Sequence, residues 1–262
     1  MEETRQKIFD TIDEWQATQG QELCNDGKKP NILFISGNPG SGKTTLASSL
    51  VTRIGADHCA RFFFKWDNPY FSNPLNVWRT VAFRLAAVNK DIEKFLDHHL
   101  KQPAYLENAQ YSEHFQKLIV DAFNSIPVER RAKAPIVILD ALDECAYSPH
   151  QKEFLKSLAN WAKLLPDFKL IVTSRHHATI QEILGGCSLS LPLPSGEDAD
   201  AASYQDITTF LRKSFPKHKP ESWDGPWPPE DAINQLAQYA AGLFIWAKLV
   251  INYLEDEVDI TP

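Results

Sequence analysis

The sequence lacks the features that mark secreted, membrane and nucleic-acid-binding proteins. Of its 262 residues only four are cysteines, scattered singly without metal-type spacing, so we expect free thiols in an intracellular protein. The N-terminus has no apolar signal segment, and no apolar run approaches the length of a membrane span. The net charge of −7 provides no general surface for nucleic acid. These absences predict a cytoplasmic protein without a membrane span.

What the sequence does contain is an alternation of short apolar runs with helical patterns. With 43% hydrophobic residues, the chain is able to bury a sizeable core. Strands are predicted at 32–36, 60–66, 134–140, 169–174 and 187–193. Helices are predicted between them at 43–53, 75–88, 91–100, 111–124, 150–164 and 178–184. Strands that alternate with helices favour an α/β fold, a parallel sheet with helices on both faces.

The two ends of the chain differ from this middle part. Residues 4–18 show the spacing of an amphipathic helix, and a polar lead-in follows to residue 30. Beyond Pro194 the strand-like runs stop, and three further helices are predicted, at 197–215, 229–239 and 242–254. Pro229 is expected as the first helical residue of the second. We therefore predict three segments: a lead-in at 1–30, an α/β core at 31–194 and a small helical subdomain at 195–262.

The segment GNPGSGKTT joins the first predicted strand to a helix. It satisfies the pattern G-x-x-x-x-G-K-[ST], in which backbone N–H groups and the positive end of the helix bind phosphate oxygens. Lys43 is expected to reach the β- and γ-phosphates, and Thr44 to bind Mg²⁺. An ordinary glycine-rich turn is the alternative, which the strand–helix context disfavours. The candidate phosphate-binding residues are Gly37, Asn38, Pro39, Gly40, Ser41, Gly42, Lys43, Thr44 and Thr45.

Three acidic residues follow the predicted strand IVILD. Asp140 ends this strand, and we expect its carboxylate, with Thr44, to hold Mg²⁺. One acid suffices for the metal, so Asp143 and Glu144 suggest a further role. Glu144, or else Asp143, is predicted to act as general base or to orient the attacking water. The alternative is that the pair only caps the next helix.

A basic residue ends another predicted strand, in LIVTSR. Arg175 is a candidate sensor of the terminal phosphate, because a guanidinium binds phosphate bidentately and loses that contact on hydrolysis. A surface arginine without such a role is the alternative.

Together these motifs resemble the NACHT-type NTPase domain of STAND proteins, particularly the fungal NLR-like group. The stretches GNPGSGKTTLA, PIVILDALDEC, LIVTSR and YAAGLFIWAKLVINYL occur in the order of that family. The resemblance implies an additional-strand P-loop sheet of order 5-1-4-3-2. It also implies an ATP/ADP-operated switch that hydrolyses ATP slowly and associates with itself when ATP is bound, as in fungal heterokaryon incompatibility and innate immunity.

The resemblance also implies accompanying domains and residues that contact the adenine base of the nucleotide. Family members usually add an N-terminal effector domain and a C-terminal sensor, and neither is expected within this sequence. Relatives use a Gly-Leu-Pro turn near adenine, where this chain has Gly242-Leu243-Phe244, so Phe244 is a candidate base contact, as are Thr4 and Arg5.

Two other functions remain open from the sequence. A scaffold would bind nucleotide without hydrolysing it, and a small-molecule P-loop kinase would transfer the phosphoryl group to a metabolite. The acidic pair at 143 and 144 suits activation of water better than binding of an anionic acceptor, which favours the switch.

Overall fold

The structure, a computed structural model, describes residues 4–17, 30–102, 105–106, 111–215, 219, 224 and 227–258. The chain forms two compact units. The sheet unit consists of residues 16–36 and 47–191, and the helical unit consists of residues 1–15, 37–46 and 192–262.

Five strands make up the sheet: β1 (Ile32–Gly37), β2 (Cys59–Phe63), β3 (Ile136–Asp140), β4 (Leu170–Ser174) and β5 (Leu189–Leu193). Their order is β2-β3-β4-β1-β5, and the pairs β2–β3, β3–β4 and β4–β1 are parallel. Read from the other edge this is 5-1-4-3-2, so the predicted α/β fold of the additional-strand P-loop type is confirmed. Every residue of β1 is buried, as expected for a strand covered on both faces.

Helices account for most of the remaining described residues. They are α1 (Gln6–Ala17), α2 (Lys43–Ile54), α3 (Pro69–Ser72), α4 (Val77–Val88), α5 (Lys90–Leu100), α6 (Tyr111–Phe115), α7 (Asp121–Asn124), α8 (Val128–Arg131), α9 (Pro149–Leu164), α10 (Ala178–Leu184), α11 (Ala201–Ser214), α12 (Glu230–Ala240) and α13 (Phe244–Val258). Short 3-10 turns occur at Ala56–His58, Pro74–Asn76, Leu142–Glu144 and Gly196–Asp198, and a π-helical turn at Gln116–Val120 joins α6 to α7.

Several predicted boundaries differ from the structure for local reasons. Strand β2 stops at Phe63 instead of residue 66, because Asn68 caps the next helix by accepting from the N–H groups of Tyr70 and Phe71. Trp66, predicted within that strand, is 75% exposed. The helix predicted from residue 229 begins at Glu230, with Pro229 in extended conformation as its N-cap.

Other differences concern the ends of the sheet and of the chain. Strand β5 begins at Leu189, two residues later than predicted, and is mostly exposed because it lies at the edge of the sheet. The helix predicted at 4–18 begins at Gln6 in the structure. Its predicted last residue lies outside the described residues, as does Cys24, whereas the other three cysteines, Cys59, Cys145 and Cys187, are free thiols as expected.

The core of the sheet unit is built largely from aromatic side chains. Trp78 of α4 and Trp161 of α9 are fully buried, with ring centroids 6.0 Å apart. Trp161 Nε1 donates to the carbonyl oxygen of Phe168 at 2.7 Å, and Trp78 Nε1 donates to Ser157 Oγ at 3.1 Å. Both indole N–H groups are therefore satisfied despite their burial. Because Phe168 lies just before β4, this core also fixes where that strand begins.

The core of the helical unit is a separate apolar cluster formed by α11, α12 and α13. Its buried members are Ile207, Leu211, Phe215, Ile233, Ala237, Ala240, Ala247 and Ile251. Between α12 and α13 the backbone turns through Ala241 (φ 43°) and Gly242 (φ 76°), both left-handed. A Cβ on Gly242 would lie 2.8 Å from the carbonyl oxygen of Pro194, so only glycine fits there. Within the described residues, no helix has both the length and the apolar character that a bilayer span requires.

Helix α11 begins where it does because Asp200 caps it. Asp200 Oδ1 accepts from both the backbone N–H and the hydroxyl of Ser203, each at 2.7 Å. We expect Asp200→Ala to lower the free energy of unfolding by about 1 kcal/mol, and Asp200→Asn to lower it less, because the amide oxygen still caps. Urea denaturation measures both. Asp198→Ala, an exposed neighbour, is the matched control and should change little.

The same cap carries an expected pH dependence. The hydrogen bonds from Ser203 lower the pKa of Asp200 in the folded chain below its ordinary value of 3.8. The stabilisation is therefore complete above pH 3.8 and is lost as the pH falls through the lower folded-state pKa. In Asp200→Asn this part of the acid destabilisation should be absent, and an unchanged acid profile would contradict the assignment.

Candidate functional site

The sheet gathers the predicted strand-end motifs at one edge. Strands β3, β4 and β1 are parallel neighbours, and Ser36 at the end of β1 is in register with Ser174 at the end of β4. Asp140 is the last residue of β3. The carboxyl ends of all three strands therefore lie at the same edge, which is where open parallel sheets bind ligands.

The loop that leaves β1 turns back on itself around a lysine. Gly40 (φ 80°) and Gly42 (φ 92°) are both left-handed, a conformation that side chains disfavour. Lys43 is buried, and its Nζ donates to the carbonyl oxygens of Gly37 at 2.8 Å and Asn38 at 2.9 Å. The loop therefore surrounds the ammonium group of Lys43 with its own carbonyl oxygens.

Close packing in the helical unit explains the glycines at 37 and 40. A Cβ on Gly37 would approach Ser41 Oγ to 2.8 Å, and a Cβ on Gly40 would approach Ile245 Cγ2 to 2.2 Å. The carbonyl oxygen of Gly40 accepts from the N–H of Ile245 at 3.2 Å, so the loop is bonded to the start of α13. In the described part of the chain, the N–H groups of Gly40 and Gly42 have no acceptor, which suits a loop that binds an anion.

The remaining loop residues have distinct surroundings. Asn38 Nδ2 donates to the carbonyl oxygen of Ser195 at 3.1 Å, and Ser41 is fully buried. Pro39, Thr44 and Thr45 are exposed, the two threonines in the first turn of α2. A helix N-terminus with exposed hydroxyl groups is a suitable place for phosphate and its metal.

A residue near the N-terminus secures this loop. Arg5 is 3% exposed, and its Nη2 donates to the carbonyl oxygen of Ser41 at 2.8 Å. The backbone N–H of Arg5 donates to Asp206 Oδ1 at 2.7 Å, and Arg5 Nε lies 3.7 Å from Asp206 Oδ2. The guanidinium carbon lies 5.1 Å from the centroid of the Phe244 ring. Sequence reasoning expected Arg5 and Phe244 near the base, but missed that they pack on each other and on the loop.

Burial shapes the electrostatics of this pair. It lowers the pKa of the Arg5 guanidinium, an effect opposed by the carboxylates of Asp206 and Asp200, and it raises the pKa of Asp206. Arg5 also has a left-handed backbone (φ 63°), which is unfavourable for a residue with a side chain. The contacts of Arg5 with Ser41, Asp206 and Phe244 therefore stabilise a backbone conformation that is unfavourable for arginine.

We expect Arg5→Ala to lower the free energy of unfolding by about 3 kcal/mol, because it leaves the largely buried carboxylate of Asp206 without its cation. Arg5→Lys should lose less, since the charge is kept while the planar contacts to Ser41 and Phe244 are lost. Urea denaturation provides the measurement, with Lys7→Ala, exposed on α1, as the control. A loss below about 0.5 kcal/mol in Arg5→Ala would show that the pair is not structural.

In the sheet unit, the metal candidate Asp140 is held by the neighbouring strand. Asp140 is 1% exposed, and its Oδ1 accepts from Thr173 Oγ1 at 2.5 Å. The same hydroxyl accepts from the N–H of Ala141 at 3.0 Å, where the backbone is left-handed at φ 58°. Thr173 therefore fixes the carboxylate and the turn after it. Sequence reasoning missed this role, although Thr173 lies two residues before the candidate Arg175.

Arg175 links both remaining acids. Asp143 Oδ1 accepts from the backbone N–H of Arg175 at 2.8 Å and from Ser174 Oγ at 3.3 Å, and Asp143 Oδ2 lies 3.2 Å from Arg175 Nε. Glu144 Oε1 lies 3.6 Å from Arg175 Nη2, and Glu144 Oε2 accepts from the N–H of Trp66 at 3.1 Å. The side chain of Asp143 is 11% exposed and that of Glu144 is 21% exposed.

These geometries suggest different chemistry for the two acids. Asp143 is enclosed by donors and orients Arg175, which is half exposed. Glu144 has fewer partners and is more open to water, as a residue that orients a water molecule must be. The structure thus brings Asp143, Glu144 and Arg175 together in the sheet unit, while residues 37–45 form their own arrangement in the helical unit.

A metal ion held by the protein alone is not supported. Among the described residues, no three His, Cys, Asp or Glu side chains are grouped as a metal site. Mg²⁺, however, usually binds through one or two protein oxygens together with substrate phosphates. The exposed hydroxyl of Thr44 in the helical unit is an oxygen donor of this type, and so, considered separately, is the carboxylate of Asp140 in the sheet unit.

Comparisons with known proteins agree with these motifs. The profile of the family described as Nephrocystin 3, N-terminal, matches residues 5–175. The Vegetative incompatibility protein HET-E-1 of Podospora anserina is 24% identical over 238 residues, which cover 88% of this chain and 17% of that protein. The chain therefore spans a small part of the length of this curated relative.

Two solved structures show weak likeness. The AMPPCP-bound DnaA from Aquifex aeolicus has a TM-score of 0.48 and 13% identity, covering 97% of this chain and 61% of that one. A dimeric bacterial ABC transporter cassette has a TM-score of 0.33 and 13% identity, covering 63% of this chain and 83% of that one. The strand order β2-β3-β4-β1-β5 and the glycine-rich loop between β1 and α2 identify the fold. The chain belongs to the Nephrocystin 3, N-terminal, family, and the resemblance found in its sequence is confirmed: it is a NACHT-type domain with the P-loop NTPase fold.

Proposed function

We propose that this domain is a nucleotide-operated switch that binds ATP and ADP with Mg²⁺ and hydrolyses ATP slowly. The observation that carries the proposal is the loop at 37–45, where two left-handed glycines leave N–H donors without acceptors beside the buried Lys43. Polyphosphate is the ligand that such a loop, opening a helix, binds most readily.

In this proposal the loop binds the phosphates and the strand ends act on the metal and the water. Lys43 contacts the β- and γ-phosphates, and Thr44 and Asp140 hold Mg²⁺, which neutralises phosphate charge when bound. Glu144 orients the attacking water and accepts its proton as general base, while Asp143 positions Arg175. Arg175 is the sensor of the terminal phosphate, because its half-exposed guanidinium is free to exchange one carboxylate partner for a phosphate oxygen.

The helical unit supports a switching role. The loop is bonded to α13 through Ile245, to α11 through Arg5 and Asp206, and to the segment after β5 through Ser195. A loop that changes with its nucleotide would therefore act directly on these helices. We propose that the ATP form favours self-association of the domain, within a larger cytoplasmic signalling protein of the vegetative incompatibility and innate-immunity type.

Mass spectrometry of the purified protein tests the proposal most directly. We expect ADP or ATP to copurify, and chelation of Mg²⁺ to reduce its retention. Protein that never retains or binds an adenine nucleotide would overturn the assignment, and guanine nucleotide in its place would correct the base.

Self-association has its own test. A ligand shifts an equilibrium only if it binds one state better, so ATP must prefer the assembled form. Multi-angle light scattering should show a monomer without nucleotide and with ADP, and a larger species with a non-hydrolysable ATP analogue. The same mass under all three conditions would remove the switch, leaving the nucleotide site intact.

One structural feature favours a second candidate, a scaffold that binds nucleotide without turnover. Both candidate water-orienting carboxylates are already engaged by Arg175. Single-turnover measurement of phosphate release separates the two functions, since a scaffold releases none while ATP stays bound.

A further inference from the structure

The sheet unit contains a cavity beside the proposed nucleotide machinery, with which it shares Asp143. It lies between α9 and α10, beside the turn that follows β3, and has a volume of about 960 Å³. Cavities of roughly 300–1,000 Å³ are typical of sites for small organic molecules.

The floor of this cavity is apolar. Leu142, Leu155 and Ile180 line it, and each is at most 6% exposed. Cys145 also lines it, but burial raises the pKa of that thiol to about 12, so it is not a nucleophile near neutral pH. The floor therefore suits noncovalent contact with a hydrocarbon group.

The rim of the cavity carries groups that suit an anion. Lys152 and Lys156 are exposed residues one turn apart on α9, and in the described part of the chain neither is paired with a carboxylate. Ser148 is the N-cap of α9, yet its hydroxyl makes no capping bond. Its Oγ is buried without any hydrogen-bond partner, which costs free energy unless a ligand supplies one.

Acidic residues in the lining limit the negative charge of a ligand that the cavity is able to bind. Asp143 is engaged by Arg175, but Glu182 on α10 is exposed and faces the same cavity. A polyphosphate would be repelled there, whereas a singly charged head group fits beside the two lysines.

We propose that this cavity binds a small amphipathic carboxylate, with its hydrocarbon chain on the Leu142–Leu155–Ile180 floor and its head group on Lys152, Lys156 and Ser148. Binding requires no nucleotide, so its outcome is independent of the proposed function. The cavity also shares Leu142 and Asp143 with the turn that positions Arg175. If the proposed function holds, the same ligand should change the rate of ATP hydrolysis.

Displacement of the dye 8-anilinonaphthalene-1-sulfonate tests the site, because the dye joins an aromatic body to one negative charge. With the full chain and no nucleotide, we expect decanoate to displace the dye. Acetate lacks the chain, decylamine carries the opposite charge, and inorganic phosphate lacks the apolar part, so each should compete at least about tenfold more weakly.

Variants localise the effect. Lys152→Glu with Lys156→Glu should weaken decanoate binding at least about tenfold, and the milder Lys152→Gln with Lys156→Gln should weaken it in the same direction. Lys163→Glu, exposed on α9 outside the cavity, is the matched control and should bind like the unaltered chain. Unfolding midpoints confirm that each variant is folded. Unchanged decanoate binding in both double variants, or equal binding of decylamine, would overturn the proposal.

Discussion

Lys43→Ala should abolish retention of ATP and ADP, with a loss of affinity of at least about 100-fold. The change removes the buried cation of the loop and its bonds to Gly37 and Asn38. In the proposed function, Lys43 makes a charge-assisted hydrogen bond to a phosphate oxygen, and the substitution removes it. Isothermal titration with Mg²⁺ and a non-hydrolysable ATP analogue provides the measurement.

The same substitution also affects the folded loop, which has to be separated from binding. The buried carbonyl oxygen of Gly37 loses the Lys43 donor, at a cost of about 1–3 kcal/mol of stability, whereas that of Asn38 still accepts from the N–H of Ser41 at 3.2 Å. Unfolding in the absence of nucleotide measures that part, and Lys94→Ala, exposed on α5, is the control for loss of a surface lysine. Near-normal nucleotide affinity in a folded Lys43→Ala chain would show that the loop does not bind phosphate.

Glu144→Gln should keep ATP bound and slow its hydrolysis by about 100-fold or more, because an amide orients water but does not accept its proton. Asp143→Asn should act differently. This substitution weakens the contacts of residue 143 with Nε and the backbone N–H of Arg175. Because Arg175 is the proposed sensor of the terminal phosphate, we expect both the affinity for ATP and the rate of its hydrolysis to fall.

Single-turnover phosphate release, with ATP affinity measured in parallel, distinguishes these two effects. Glu129→Gln, an exposed residue of α8, is the matched control. Normal turnover in Glu144→Gln combined with a defective Asp143→Asn would mean that the roles of the two acids are reversed. Normal turnover in both would mean that the pair is only structural, holding Arg175 and the N–H of Trp66, since the next helix has Ser148 as its N-cap.

Local sequence patterns were sufficient to predict the strands that are buried on both faces. The apolar runs at 32–36, 134–140 and 169–174 correspond to β1, β3 and β4, because a strand buried on both faces needs a continuous apolar sequence. Predicted element boundaries were wrong where a side chain caps a helix, as Asn68 and Asp200 do. The capping hydrogen bond sets where the helix begins, and the apolar periodicity of the sequence does not show it.

The strand–loop–helix at β1 and α2, the acids that follow β3 and the arginine that follows β4 were predictable from local sequence, because each depends on residues adjacent in the chain. The contacts that those residues make were not predictable in this way. Arg5 meets Asp206 across 201 positions of sequence, and Thr173 meets Asp140 across 33. Periodicity extends over a single element, whereas such contacts and the cavity between α9 and α10 arise only when distant elements pack together.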